Sequence, residues 1–301
     1  MNAARSLLAL SIPLVLLACA PKRGGWERVG GPLRNVSGMA HVAVGPGKLQ
    51  TGEFLVVHDN KAPGEPHVGA VRIGMKSGVA YKSLPWPQDV EPPVDLEAVC
   101  AVPGTPGSFI AMTSAGRLLH LRYDGWRAER PLDVLHESVL PGLRKEPNLE
   151  GFAVQSLGGR QVAVWADRGD GEQPGVLYWG VYDPVADLVS LHGKTKIFVP
   201  YPRGQFTRHI ADVKVDEGGV VWATSSVDPG DNGPFESVLY ALGSVQVSGD
   251  EVSFAENPSP TRLWHTNRKV EALELVPGAS GGVYFGADDE AAGGWIYTGR
   301  K

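Results

Sequence analysis

The chain has 301 residues, 43% hydrophobic and 20% charged, a balance that excludes a disordered or fibrous protein and leaves room for one large domain or two smaller ones. Its 39 glycines and 24 prolines exclude a mainly helical architecture and suit many short strands joined by tight turns. A net charge of -5 gives no electrostatic basis for nucleic-acid binding, which needs a clustered positive surface.

The amino-terminal segment is an export signal. Arg5 precedes an apolar run over residues 7–17 that ends in Leu16-Leu17-Ala18-Cys19. About twenty apolar residues are needed to span a bilayer, so a retained transmembrane helix is not expected. The Leu-Leu-Ala-Cys ending resembles the bacterial lipobox, in which the cysteine thiol receives a diacylglycerol. Residues 1–18 are accordingly read as a lipoprotein signal peptide, Cys19 as the lipidation site, and residues 19–25 as a lipidated tether. Ala20, where an acidic residue would favour the inner membrane, points to the outer membrane of a two-membrane cell, facing the periplasm. The domain would stay in water, its acyl chains contributing about 0.8 kcal/mol per buried methylene. Cys100 is the only other cysteine, so no disulfide framework is expected and Cys100 is assigned to the core.

From residue 36 onward a short phrase recurs five times. The first unit opens with VSGMAHV (36–42), followed by FLVVHDN from Phe54, GAVRIG from Gly69 and VAYKSL from Val79. The second has LEAVCAV (96–102), FIAMTSA from Phe109 and GRLLHL from Gly116, then a weak helical rhythm over 132–143. In the third, LEGFAV (149–154), VAVWADR from Val162, GVLYWGV from Gly175 and VSLHGKTKIFV from Val189 follow in the same order. The fourth runs through IADVKV (210–215), VWATSSV from Val221, SVLYAL from Ser237 and VSFAENPSPTRLWH from Val252. The fifth stops after VEALEL (270–275), VYFGADD from Val283 and GWIYTG from Gly294. Each run is rich in β-branched or aromatic residues and bounded by turn residues.

Spacings of 60, 53, 61 and 60 residues between the phrases signal a repeat architecture. Four strands per unit of this length match propeller blades. The expectation is an all-β protein: a single five-bladed β-propeller over residues 26–301, with four-stranded blades. The incomplete fifth unit would be closed by an outer strand from residues 26–33 of the mature amino terminus. A six-bladed ring with a degenerate blade in residues 188–206 is the alternative, and a β-sandwich would explain the strands but not the period. Trp165, Trp222 and Trp264 are assigned to blade cores.

Two columns run through the repeat. The second residue of each phrase gives Ser37, Glu97, Glu150, Ala211 and Glu271, and the sixth residue of the next run gives Asp59, Ser114, Asp167, Ser226 and Asp288. The start of an innermost strand faces the end of its antiparallel neighbour, so both columns should meet at one mouth of the channel. Six carboxylates there, Glu97, Glu150, Glu271, Asp59, Asp167 and Asp288, would repel one another unless some protonate or a cation compensates. Ca²⁺, which takes six to eight oxygens in flexible geometry, is the expected metal. The competing reading makes the acids structural, satisfied by backbone amides at the rim. Asp212 stands beside the break at Ala211 with its side chain expected on the opposite face.

Basic residues precede three of the phrases: Arg144 and Lys145, Arg208 and His209, Arg268 and Lys269. With Arg168 and His58, which flank second-column acids, His209 and Lys269 form a candidate ligand-binding set for a small anionic ligand. Salt-bridging to the acidic rim is the alternative for all of them. The acidic, glycine-rich loops DRGDGEQPG from Asp167 and DPGDNGPFES from Asp228 read as turns rather than calcium loops. No G-x-S-x-G, H-E-x-x-H or C-x-x-C motif occurs, and GPGK at 45–48 lacks the spacing of a phosphate loop.

The phrases Asp95-Leu96-Glu97-Ala98, Asn148-Leu149-Glu150-Gly151 and Lys269-Val270-Glu271-Ala272 resemble those of phytase-esterase-like and SdiA-regulated-type β-propellers, and residues 287–297 are similar to their closing strand pair. The resemblance covers the chain from about residue 36. It implies a calcium-associated propeller, some members having phosphoesterase activity, with metal ligands at Glu97, Glu150 and Glu271. Ser37, Ala211 and a count of five blades against the six of phytases depart from the pattern. Two functions follow as expectations: a surface-tethered binding or scaffold propeller with an acidic, Ca²⁺-binding mouth, and a metal-dependent hydrolase of phosphoesters or lactones using that mouth. No nucleophile or general base is singled out, and a protein partner is not defined.

Overall fold

Each repeat folds as one antiparallel sheet, because its strands carry apolar residues on both faces and can bury them only against sheets on either side. In the computed structural model, residues 25–42, 51–74, 78–276 and 282–298 are described. The lipidation site and signal segment lie outside them.

Blade 1 consists of β2 (Gly38–His41), β3 (Thr51–Val57), β4 (Val68–Gly74) and β5 (Gly78–Leu84), in that order from the channel outward. Blade 2 has β6 (Leu96–Ala101), β7 (Ser108–Thr113), β8 (Arg117–Tyr123) and β9 (Leu132–Val139). Blade 3 has β10 (Leu149–Leu157), β11 (Arg160–Asp167), β12 (Gly175–Asp183) and β13 (Leu188–Ile197). In blade 4, β14 (Thr207–Val215), β15 (Val220–Val227), β16 (Glu236–Ser248) and β17 (Glu251–Glu256) form the sheet, while β18 (Trp264–Thr266) adds to the mouth-side half of β16. Blade 5 joins β19 (Val270–Val276), β20 (Gly282–Asp288) and β21 (Gly294–Tyr297) to β1 (Trp26–Arg28). The innermost strands β2, β6, β10, β14 and β19 contact one another in cyclic order. The fold is a five-bladed β-propeller.

Burial divides the core into five clusters, one at each junction between neighbouring blades. Along β7, Phe109 and Ala111 pack toward blade 1, whereas Ile110 and Met112 pack toward blade 3. Two-faced burial of this kind explains why the inner runs are continuously apolar rather than alternating. Trp165 stacks on Tyr178 in blade 3, and Trp264 stacks on Phe285 across the junction of blades 4 and 5. Cys100 is buried and free.

Closure follows the expected scheme with a shorter strand, since only Trp26–Arg28 of the expected 26–33 forms strand and Pro32–Arg34 is a 3-10 turn. Trp26 pairs with Tyr297 and Arg28 with Trp295, so residues from the amino-terminal end supply the outermost strand of the last blade. Two expectations are corrected. The segment 188–206 holds no degenerate blade, since β13 is the ordinary fourth strand of blade 3. The weak helical rhythm over 132–143 is strand β9, because Leu132 and Val134 pair with Tyr123 and Leu121 at an existing sheet edge. Helix is confined, among the described residues, to two single 3-10 turns, Pro32–Arg34 and Glu290–Ala292.

Candidate functional site at the channel mouth

The recurring glutamate has a structural cause for its position. In β6 the pairing with β7 steps from Leu96 opposite Thr113 to Ala98 opposite Met112, leaving Glu97 as an extra residue. The same slip leaves out Glu150 between Leu149 and Gly151, and Glu271 between Val270 and Ala272. Each first-column glutamate is thus the bulged residue at the mouth end of an innermost strand, and a bulge re-aims the side chain it carries. Blade 4 has a longer slip between Arg208 and Asp212, which removes Ala211 from the pattern. Blade 1 pairs regularly from Gly38 opposite Val57, leaving Ser37 just ahead of the strand.

The three glutamates converge from separate blades. Glu97 is buried, and its carboxyl is pushed well above the usual carboxylate range by burial first and then by the charges of Glu150 and Glu271. Burial also raises Glu150 to about 7, against the opposing pull of Arg208 and Arg168. Asp59 joins from the second column, raised to about 6 by burial and by Glu271. Asp288 is likewise raised, by burial and then Glu271.

Cations from the protein itself stand among these acids. Arg208 Nη1 donates to Glu271 Oε1 at 2.7 Å and lies 3.9 Å from Glu150 Oε1, while its Nη2 donates to Asp228. Arg168 Nη1 donates to Glu150 Oε1 at 3.1 Å. Lys269 Nζ reaches Glu271 Oε1 at 3.0 Å, Asp288 Oδ2 at 3.2 Å and Asp228 Oδ2 at 3.5 Å, and also pairs with Glu290. Burial opposes the charge on Lys269, but Glu271 and Asp288 outweigh it and hold the ammonium protonated. Glu97 forms no ion pair among the described residues, although its charge is felt by Arg208 and Lys61.

Second-column residues have local partners that share a pattern. In blade 2, Ser114 Oγ donates to Asp95 Oδ2 at 2.5 Å; in blade 3, the Asn148 amide donates to Asp167 Oδ2 at 3.0 Å; in blade 5, Lys269 donates to Asp288. In these three blades the residue two places before the glutamate therefore meets the second-column residue of its own blade. Asp167 is further bound by Arg144 Nε at 2.7 Å and the Gly169 amide at 3.3 Å, which anchors the loop before β10.

Of the candidate ligand-binding residues, Arg168 and Lys269 belong to this mouth network. His58 is buried, with Nδ1 against the Asn35 carbonyl and Nε2 3.0 Å from the Tyr81 hydroxyl, so both ring nitrogens are engaged inside blade 1. His209 Nε2 donates to the Gly171 carbonyl at 2.9 Å, and its ring packs on Phe198. The histidines therefore fasten loops. Asp212 leaves the mouth altogether: its carboxylate accepts from the amides of Val213 and Leu273, both at 2.7 Å, stapling β14 to β19. Beside it, Lys214 Nζ donates to the Val99 carbonyl at 2.8 Å and lies 3.7 Å from Glu274 Oε2. Burial raises both Asp212 and Glu274 to about 7.

Sequence reasoning passed over Asp228, Asp95 with Lys61, and the Lys214–Glu274 pair, and named Arg208 only among the rim cations. The residue two places before each glutamate, which is Asp95, Asn148 and Lys269, is the signal that could have found Asp95; Asp228 and the Lys214–Glu274 pair stand at no such repeated position.

The donor set fits a divalent ion only in part. Glu150, Glu271, Asp228 and Asp288 turn oxygens toward Arg208 or Lys269, and Asp167 toward Arg144 and backbone amides. Among the described residues no group of three or more His, Cys, Asp or Glu side chains stands in an arrangement that could hold a metal. Glu97 and Asp59 are the acids left without full compensation.

No protein-family model and no curated protein matches the chain. Solved structures do. A thermostable family-43 glycoside hydrolase aligns with 90% of this chain and 91% of its own at 8% identity and a TM-score of 0.50. An exo-1,5-alpha-L-arabinanase from a bovine ruminal metagenomic library aligns with 87% of this chain and 92% of its own at 11% identity and a TM-score of 0.52. At these identities the likeness is one of fold alone.

Proposed function

We propose that the protein is an exported, lipid-anchored propeller that binds a small anionic ligand at its channel mouth. The observation that carries this reading is the layering of charge: the Glu150 and Glu271 side chains are 3% exposed, whereas Arg208 and Arg168, which they hold, are 17% and 25% exposed. An arriving ligand meets guanidinium groups fixed on a carboxylate floor. Arginine forks pre-set in this way suit carboxylate or phosphate oxygens, since little side-chain freedom is lost on binding. The floor partly neutralises the forks, so binding should be selective by geometry more than strong by charge.

Ca²⁺ enters this reading as the cation that Glu97 and Asp59 would take in exchange for protons. Supporting it are the burial of Glu97 outside any ion pair among the described residues and the likeness of the L-E-G phrases to those of calcium-associated propellers. Anchoring at the periplasmic side of the outer membrane through Cys19 rests on the Leu-Leu-Ala-Cys ending alone.

Thermal melting of the mature domain with inorganic phosphate and with citrate tests the mouth. A rise in melting temperature that disappears in Arg168→Gln and Arg208→Gln is expected; no rise with either anion overturns the proposal. Calcium against chelator, beside Glu97→Gln, tests the metal in the same format. Detergent-phase partition of the full chain, lost in Cys19→Ser, tests the anchor.

A hydrolase is the second reading. It is favoured by the Glu150 carboxyl, which is poised near neutrality and could both give and take a proton. Generic phosphoesters and lactones are the bonds to assay, with glycosides added because the two fold neighbours are named as glycoside hydrolases. Turnover abolished in Glu150→Gln would favour this reading over simple binding.

A further inference from the structure

At the junction of blades 2 and 3, away from the mouth, three side chains form a hydrogen-bonded chain. Ser108 Oγ lies 2.6 Å from His120 Nε2, and His120 Nδ1 lies 2.6 Å from Asp187 Oδ2. A carboxylate can only accept, so the proton of the imidazole belongs on Nδ1, leaving Nε2 to accept from the serine hydroxyl. Asp187 is itself held by the Tyr182 hydroxyl at 2.7 Å on its other oxygen. His136 Nδ1 approaches at 3.3 Å from β9.

We propose that Ser108, His120 and Asp187 form an acyl-transfer site for small uncharged carboxylic esters. Nucleophile, base and orienting acid are recognised by geometry and role rather than by sequence motif, and this chain meets that geometry without the G-x-S-x-G elbow. Ser108 is the first residue of β7, about 20 Å along that strand from Ser114 at the mouth, so the two sites are separate. Ser108 is buried at 6% exposure beneath the partly exposed His120 and Asp187 side chains, and Asp187 sits at a φ of 57°, a left-handed backbone that non-glycine residues seldom adopt and that recurs at functional positions. Exposed Val185 and Leu188, on the same turn as Asp187, offer apolar surface to an acyl chain.

In the reaction, Ser108 Oγ bonds to the ester carbonyl carbon as its proton passes to His120 Nε2. The ester C–O bond then breaks, and that proton leaves with the alcohol. Water attacks the acyl-serine, giving one proton to His120, which returns it to Ser108 as the carboxylic acid departs. Asp187 acts as a positioning residue throughout.

The test is covalent labelling of the full chain with a fluorophosphonate, followed by peptide mapping, beside hydrolysis of p-nitrophenyl butyrate. One phosphonyl group on Ser108, lost in Ser108→Ala at unchanged melting temperature, is expected. Asp187→Asn should slow labelling by roughly 10³- to 10⁴-fold, with partial rescue in Asp187→Glu. Folded protein that takes no label, or takes it on another serine, overturns the proposal and leaves the triad as an inter-blade clasp. Should the Asp187 variants fail to fold, the mapped site in the parent chain and in Ser108→Ala still decides. Arg168→Gln and Glu150→Gln should not alter labelling, which keeps this outcome independent of the mouth.

Discussion

At the scale of single residues, the channel is governed by buried carboxyls that release their protons near neutrality rather than near about 4. Glu150, Asp212 and Glu274 titrate near 7 in the fold because of burial, whereas in an unfolded chain they release their protons near 4 to 4.5. Between those values the native state binds more protons than the unfolded one, so stability falls as pH rises from about 4.5 through 7. Melting temperature should therefore be higher at pH 5 than at pH 8. Glu97→Gln, which replaces a proton-holding carboxyl by a neutral amide, should flatten that slope and raise stability at pH 8 by roughly 1–3 kcal/mol. A slope of opposite sign in calorimetry would show these carboxyls to be ionised in the fold. Deeper in the channel, Lys214→Met removes the partner of Glu274 and at about pH 8, where Glu274 is ionised, should cost about 3–5 kcal/mol, with recovery in Lys214→Met Glu274→Leu. The acids of both columns were legible from the sequence because a repeat exposes equivalent positions. Their partners were less so, because pairing between a phrase's leading residue and its own second column changes chemistry from blade to blade: Asp95 with Ser114, Asn148 with Asp167, Lys269 with Asp288.

At the scale of the strand, the recurring phrase combines a bulge with a small residue. The residue after each first-column position is Gly38, Ala98, Gly151, Asp212 or Ala272, and the small ones sit where innermost strands crowd the axis. A Cβ on Gly151 would lie 2.5 Å from the Val213 backbone nitrogen, and one on Gly38 would lie 2.8 Å from the Ala98 Cα. Backbone cannot yield as a flexible side chain can, so Gly151→Val should lower stability by about 1–3 kcal/mol or more and weaken the adjoining Glu150–Arg168 contact. Denaturant unfolding checks the first effect and the anion-dependent melting shift the second. The strand count and blade order were readable because both faces of every inner strand are apolar and turns of glycine and proline separate them. The edges were harder. The outer strand β9 reads weakly as a helix since its exposed positions carry little periodicity, and the fourth-unit segment after Val252 splits into β17 and β18, which pair with different halves of the unusually long β16.

At the scale of the whole molecule, five inter-blade cores of similar make-up mean that no blade is stable by itself, and the ring stands or opens as a unit. What keeps it shut is the pairing of β1 with β21, reinforced where the Thr298 amide donates to the Gly25 carbonyl at 2.7 Å and Trp26 packs on Tyr297 and Trp264. Because the two ends of the described chain meet there, a few added residues could join them and new termini could be cut elsewhere. A circular permutant opened between β5 and β6 would keep every contact yet build all five blades from contiguous chain, so that no sheet would stitch the start of the polypeptide to its finish. Such a permutant should match the parent in equilibrium melting but unravel faster in denaturant, since its seam would rest on side-chain packing without a shared ladder of hydrogen bonds.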